Sequence, residues 1–208
     1  MRTVFKLTCL FAFVCTFSLV SGQNLSFGIK AGANFASVNI EQDGFDIEPD
    51  SRTGLNIGAI LNIGVTDAFS VQPELSFIQK GYSFEFFEEE TALILNYLEI
   101  PILAKYAFGS ESFQGFIQAG PAIGFALSGK IKSDNEEEDI DFDEDGFKTF
   151  DFGLQFGAGA AVPAGPGEAF LDLPYALGLA NIADNDGSTV SNIGLLITAG
   201  YLFPIGGK

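Results

Sequence analysis

The chain has 208 residues, of which 27 are acidic, 10 are basic and none is histidine. Its formal net charge of −17 argues against a nucleic-acid partner, because a polyanion would be repelled. The absence of histidine excludes Ser-His-Asp triads, Cys-His dyads and His-ligated zinc. Any enzyme chemistry would have to use carboxylates, lysine or tyrosine alone.

The N-terminus predicts a secretory signal peptide. Arg2 and Lys6 precede an apolar run that ends at Val20, and the small residues after it end at Gly22. We therefore predict a signal peptide over 1–22 and one mature domain over 23–208. The apolar run is too short to cross a membrane as a helix.

Both cysteines, Cys9 and Cys15, lie inside the predicted signal peptide. Neither follows a small residue, which argues against lipid attachment. The mature chain would have no thiol and no disulfide. Removal of the two leader bases leaves a net charge of about −19.

The first mature segment, Ser26 to Phe35, alternates apolar and small or polar residues. Because side chains alternate faces along a strand, this pattern predicts a strand with one apolar and one polar face. No stretch has the pattern of a long amphipathic helix. Similar alternation predicts eight strands in all, near 25–38, 53–65, 69–82, 92–108, 113–127, 147–162, 169–180 and 191–203.

The connections alternate in length along the chain. Short turns are expected around 66–68, 109–112 and 163–167, and long loops around 39–51, 83–91, 128–146 and 181–190. This alternation is typical of outer-membrane barrels, whose periplasmic turns are short and external loops long. With eight strands, both termini are expected on the short-turn side.

Aromatic residues concentrate near the predicted strand ends, where two interfacial girdles would lie. They are Phe27, Phe35, Phe69, Tyr97, Tyr106, Phe108, Phe113, Tyr201 and Phe203. The sequence thus predicts an all-β fold: an eight-stranded antiparallel transmembrane β-barrel with up-and-down topology, integral to the outer membrane of a Gram-negative bacterium.

Four segments carry a family resemblance: FGIKAGANF, QPELSFIQKG, YLEIPILAKY from Tyr97 to Tyr106, and LDLPYALGLANI. Together they resemble the PorT-like family of small outer-membrane β-barrel proteins. The resemblance implies fold and compartment, and a link to protein secretion. Where that family often has arginine before the tyrosine of the seventh strand, this chain has Pro174, which predicts a bulge or irregularity there. Tyr201 to Phe203 resembles the terminal signal for the barrel-assembly machinery.

Seven charged residues occupy the alternate positions that form the polar faces of the predicted strands. We therefore predict that they form one internal network. Its members are Lys30, Glu74, Lys80, Glu99, Lys105, Asp151 and Asp172. The lumen of an eight-stranded barrel is just wide enough for side chains to fill it, so we expect these groups to pair and pack. The alternative is a narrow ion or proton path.

The predicted long loops hold 20 of the 27 acids. In the third loop, Asp141, Asp143, Asp145 and Gly146 match the first half of a calcium loop, but Phe152 occupies the twelfth position, where a glutamate belongs. We interpret the three aspartates as a candidate divalent-cation site. The alternative is a solvated acidic loop.

The sequence favours a non-enzymatic structural or interaction protein of the cell surface, with secretion or cation binding as specific roles. Expected partners are outer-membrane lipid, the barrel-assembly machinery and a cell-surface or secretion-system protein, with no cofactor besides Ca²⁺. Two alternatives stay open. One is a soluble periplasmic lipocalin-like barrel with its apolar face around a small hydrophobic ligand, and the other is a membrane-embedded carboxylate enzyme.

Overall fold

A computed structural model describes residues 25–42, 45–47, 49–86, 89–133, 136–142, 144, 146–184 and 188–205. The predicted signal peptide lies outside the described residues. The described part of the chain forms ten strands: β1 (Leu25–Gln42), β2 (Phe45–Ile47), β3 (Arg52–Gly64), β4 (Phe69–Phe86), β5 (Glu89–Ser110), β6 (Phe113–Ser133), β7 (Glu136–Asp139), β8 (Phe150–Ala164), β9 (Gly167–Gly178) and β10 (Ser188–Ile205).

Eight long strands close into a ring in the order β1, β3, β4, β5, β6, β8, β9, β10. All their pairings are antiparallel, and β10 pairs with β1 from Leu25 opposite Ile205 to Gln42 opposite Ser188. The short strands β2 and β7 pair antiparallel with the loop-side ends of β1 and β6. The predicted eight-stranded antiparallel barrel is confirmed.

The strands run further on the loop side than the sequence predicts. β4 continues to Phe86 and β5 begins at Glu89, within the segment 83–91 predicted as a long loop. The antiparallel hydrogen-bond ladder does not need an apolar face, so it continues after the alternating pattern stops. The turns at the other end are tight, as predicted, with Gly109 and Gly165 at positive φ.

Pro174 interrupts the sheet without shifting it. The ladder between β9 and β10 pairs Tyr175 with Leu195 and Asp172 with Thr198 in one register, and it skips the proline between them. The irregularity predicted there is thus a gap in the ladder, because proline lacks the donor. A register shift does occur between β5 and β6, at Asn96 and Tyr97.

The outer surface of the barrel is apolar. Large side chains that are at least one third exposed follow the outward faces of all eight strands, among them Phe27, Ile57, Leu75, Ile102, Ile117, Phe156, Leu173 and Ile197. The soluble lipocalin-like alternative is therefore wrong, because it needs these residues around an internal ligand. In the described part of the chain, no helix is long and apolar enough to span a membrane.

Two apolar clusters lie inside the ring, one near each end. The loop-side cluster consists of Ile78, Leu93, Leu95, Tyr97, Ile140, Ile182 and Leu196. The turn-side cluster consists of Ile60, Phe116, Ala161, Phe170 and Leu202. Tyr97 is fully buried here, so its predicted place in an interfacial girdle is wrong: it shares the inward parity of Glu99.

Candidate functional site

The polar interior of the barrel is the site that the fold builds most completely. All seven charged residues of the predicted network have buried side chains, on inward positions of β1, β4, β5, β8 and β9. They come from five strands because each strand contributes one alternate face to the lumen. Six of them divide into a turn-side group and a loop-side group, and Lys105 belongs to neither.

The turn-side group contains Lys30, Glu74 and Asp172. Lys30 Nζ donates to Glu74, whose other oxygen accepts a hydrogen bond from Gln72 Nε2 at 2.7 Å. Asp172 accepts hydrogen bonds from Gln118 Nε2, at 2.9 Å, and from the Thr198 hydroxyl. Each of these two buried carboxylates therefore has donors on both oxygens, as a buried charge requires.

The loop-side group contains Lys80, Glu99 and Asp151. Lys80 Nζ donates to Glu99 and lies 3.0 Å from Asp151 Oδ2. Asn192 Nδ2 donates to the same Asp151 oxygen at 2.9 Å. One lysine thus serves two carboxylates, so this group carries one more negative charge than positive.

Lys105 differs from the other two lysines of the interior. Its ammonium lies 4.0 Å from the centre of the Phe116 ring and 5.9 Å from that of Phe170. Among the described residues, no carboxylate lies within 4.0 Å of it. It lines a vestibule of about 710 Å³ at the turn end, which Glu168 and Leu202 also line. Cation–π attraction to the two rings stabilises the Lys105 ammonium in place of an ion pair.

The loop-side cluster closes this interior at the loop end. Ile140 and Ile182 come from the connections after β7 and β9 and are buried. Backbone hydrogen bonds hold both residues in place, from Ile140 to Gly129 at 2.9 Å and from Ile182 to Val190 at 2.8 Å. The alternating pattern does not predict these two residues, because a single apolar residue in a polar loop gives no periodic signal.

The turn-side cluster did have a sequence signal. Phe116, Phe170 and Leu202 have the same parity as Gln118, Asp172 and Thr198, so the alternating pattern was sufficient to place them inside, although we did not predict it. Large apolar residues on a polar face near its end indicate a plug rather than a channel lining.

The candidate calcium loop is described only in part. Asp141 is exposed, and the backbone N–H of Glu144 donates to its carbonyl at 3.2 Å. Gly146 has φ +74°, in keeping with a sharp turn. Asp143 and Asp145 lie outside the described residues. Within the residues that are described, no three His, Cys, Asp or Glu side chains are arranged to hold a metal ion.

The strand extension next to this loop carries exposed charges of both signs. Lys130 Nζ lies 3.6 Å from Glu137 and from Asp139, and Lys132 Nζ lies 3.8 Å from Glu137. All four side chains are well exposed, so water and salt screen their attraction. These pairs join β6 to β7 but contribute little to stability.

Comparison with known proteins gives one family and several solved structures. The model of the outer membrane protein beta-barrel domain family matches residues 21–184. No curated relative matches the sequence significantly.

Three similar structures are outer-membrane or surface proteins of other bacteria. Ail of Yersinia pestis is 17% identical, with 86% of this chain and 99% of that chain covered and a TM-score of 0.46. Neisserial surface protein A is 14% identical, with coverage of 86% and 97% and a TM-score of 0.49. OprG of Pseudomonas aeruginosa is 14% identical, with coverage of 87% and 95% and a TM-score of 0.47.

Proposed function

Because the chain belongs to the outer membrane protein beta-barrel domain family, and is integral to the outer membrane, we propose that it is a non-enzymatic barrel, closed to ions, that presents acidic loops to partners at the cell surface. The observation that carries this proposal is the filled interior. Buried ion pairs occupy the middle of the lumen and an apolar cluster lies toward each end. An ion would have to break these pairs and cross apolar side chains, which is costly.

The interior acids also support a non-enzymatic role. Glu74, Glu99, Asp151 and Asp172 are each engaged by a lysine or by amide and hydroxyl donors. Glycoside chemistry needs a carboxylate pair that opens to a substrate cleft. These carboxylates instead point into the filled interior of the barrel, where lysine, amide and hydroxyl groups contact them.

We include two finer expectations in the proposal. The resemblance of segments such as YLEIPILAKY to the PorT-like family suggests a role linked to protein secretion. The acid-rich loops suggest contact with a cationic partner, either a cell-surface or secretion-system protein or a divalent cation. We also propose outer-membrane lipid and the barrel-assembly machinery as partners, because a transmembrane barrel is inserted into and surrounded by lipid.

Planar-bilayer recording tests the closed interior. The purified protein should give no stepwise current, and neither Lys105→Met nor Glu99→Gln should create conductance. A general diffusion porin in the same bilayer serves as the positive control. Regular current steps in the native protein, with amplitudes changed by either substitution, would contradict the closed barrel.

Limited proteolysis tests the cation proposal for Asp141, Asp143 and Asp145. Millimolar calcium should slow cleavage within residues 135–145 of the native protein. The triple substitution of these aspartates by asparagine, which preserves side-chain size, should remove that protection. Cleavage at the same rate with and without calcium would leave a solvated acidic loop as the correct interpretation.

A further inference from the structure

A small cavity lies beside the loop-side charged group. Its volume is about 20 Å³, and its polar lining comes from Asn34, Lys80, Glu99, Asp151 and Asn192. A buried space of this size admits one water or one ion of similar radius. The cavity therefore borders the loop-side group, in which one lysine faces two carboxylates.

The unpartnered atoms of its lining are all oxygens. Among the described residues, Asn34 Oδ1, Asp151 Oδ1 and Asn192 Oδ1 are buried and find no hydrogen-bond partner. The hydrogen bonds of the two amide nitrogens fix the orientation of these side chains. Asn34 Nδ2 donates to Gln79 O at 2.9 Å, and Asn192 Nδ2 donates to Asp151 Oδ2 at 2.9 Å. Rotating either amide would lose a hydrogen bond, so both carbonyl oxygens must find a positive partner elsewhere.

The charge and the number of oxygens narrow the choice of occupant. A water molecule has two hydrogens for three acceptors and leaves the excess charge uncompensated. A divalent cation would overcompensate the single excess negative charge of the loop-side group. A monovalent metal cation would neutralise the net charge of the loop-side group and bind the three unpartnered oxygens.

We propose that this cavity is a binding site for a monovalent metal cation such as sodium, held by Asn34 Oδ1, Asp151 Oδ1 and Asn192 Oδ1. The ion would bring the loop-side group to neutrality and satisfy three buried oxygens at once. It would sit beneath the loop-side cluster, which shields it from the exterior. Its role would be to stabilise the closed end of the barrel.

Cation-dependent melting tests the site in the full mature protein. The midpoint of the heat-induced gel-mobility shift is compared in sodium chloride and in N-methylglucamine chloride of equal ionic strength. We expect sodium to raise the midpoint by about 5 °C when its concentration is about 100 times Kd. Equal midpoints in the two salts would overturn the proposal.

Three variants test whether the sodium-dependent rise in the midpoint arises at this cavity. Asp151→Asn removes the charge with little change in size, and Gly194→Ala places a Cβ 2.5 Å from Asn34 Oδ1, where it would displace that oxygen. Both should lose the sodium-dependent rise. Asn56→Ala is the matched control, since Asn56 is an equally buried amide outside the cavity lining, and it should keep the rise. Loss of the rise in the control as well would refute the assignment to this cavity.

A measurement on the native protein avoids any dependence on variant folding. Crystals grown with thallium(I) in place of sodium should show an anomalous peak between Asn34, Asp151 and Asn192. Density at water hydrogen-bond distances of about 2.7 Å, without an anomalous peak, would assign the cavity to water and overturn the proposal.

Discussion

Lys80 Nζ lies 3.0 Å from Asp151 Oδ2, a contact between residues 71 positions apart in the chain. The two residues belong to β4 and β8, which are not neighbours in the ring, and the same ammonium also donates to Glu99 on β5. One buried cation thus joins three strands across the lumen. The ammonium acts as a strut: it links strands that are not neighbours in the ring, which the backbone hydrogen bonds between neighbouring strands cannot do.

Replacing this cation should destabilise the barrel strongly. Lys80→Met leaves Glu99 and Asp151 buried without their cation, which costs about 3–5 kcal/mol in comparable sites. Urea unfolding followed by circular dichroism measures the loss, since the chain has no tryptophan to report it. Lys130→Met, in an exposed pair, should change the free energy of unfolding by less than about 1 kcal/mol. Similar losses in the two variants would contradict the strut.

Lys105 is expected to behave in the opposite way. Because no carboxylate in the described part of the chain pairs with it, Lys105→Met removes a buried charge and leaves an apolar side chain between two phenylalanine rings. The free energy of unfolding should stay within about 1 kcal/mol of the native value or rise. A loss as large as that of Lys80→Met would mean that the Lys105 charge balances the distant acids Glu74, Asp172 and Glu168.

The seam between the first and last strands should not tolerate a methyl group at Gly32. A Cβ there would lie 2.0 Å from the Ile197 carbonyl oxygen and 2.7 Å from Thr198 Cα, which are backbone atoms and cannot move aside. Gly32→Ala should therefore reduce the fraction that runs as the compact, heat-modifiable form. Ala31→Val, which adds carbon atoms on the exposed face one residue earlier, serves as the control and should fold normally. If the Gly32→Ala variant gives the native fraction of the compact form, the backbones of β1 and β10 are less tightly packed here than the distances indicate.

Tyr201 holds the turn between β8 and β9. Its hydroxyl donates to the Ala164 carbonyl and accepts from the Gly167 N–H at 2.8 Å. Tyr201→Phe should lower the free energy of unfolding by about 1–3 kcal/mol and speed backbone hydrogen exchange in this turn. Tyr106→Phe removes an exposed hydroxyl on the same barrel surface and should leave both measurements unchanged. Unchanged exchange at Gly167 in Tyr201→Phe would refute the turn-holding role.

The sequence by itself determined the faces of this barrel. Alternation is a local property of a strand, so the parity of Lys30, Glu74 and Asp172 was enough to place them inside, and the outward apolar residues identified the membrane-facing surface. The same parity rule, applied fully, would also have moved Tyr97 from the girdle to the interior.

Only the tertiary structure decided which of these residues meet. The partner of each buried group depends on the stagger of the strands around the closed ring. The sequence pattern of a single strand does not contain this information. Ring closure joins Lys80 to Asp151, leaves Lys105 to aromatic rings, and brings the isolated loop residues Ile140 and Ile182 together over the lumen. These relationships are long-range in the chain, and a periodic pattern carries information only about near neighbours.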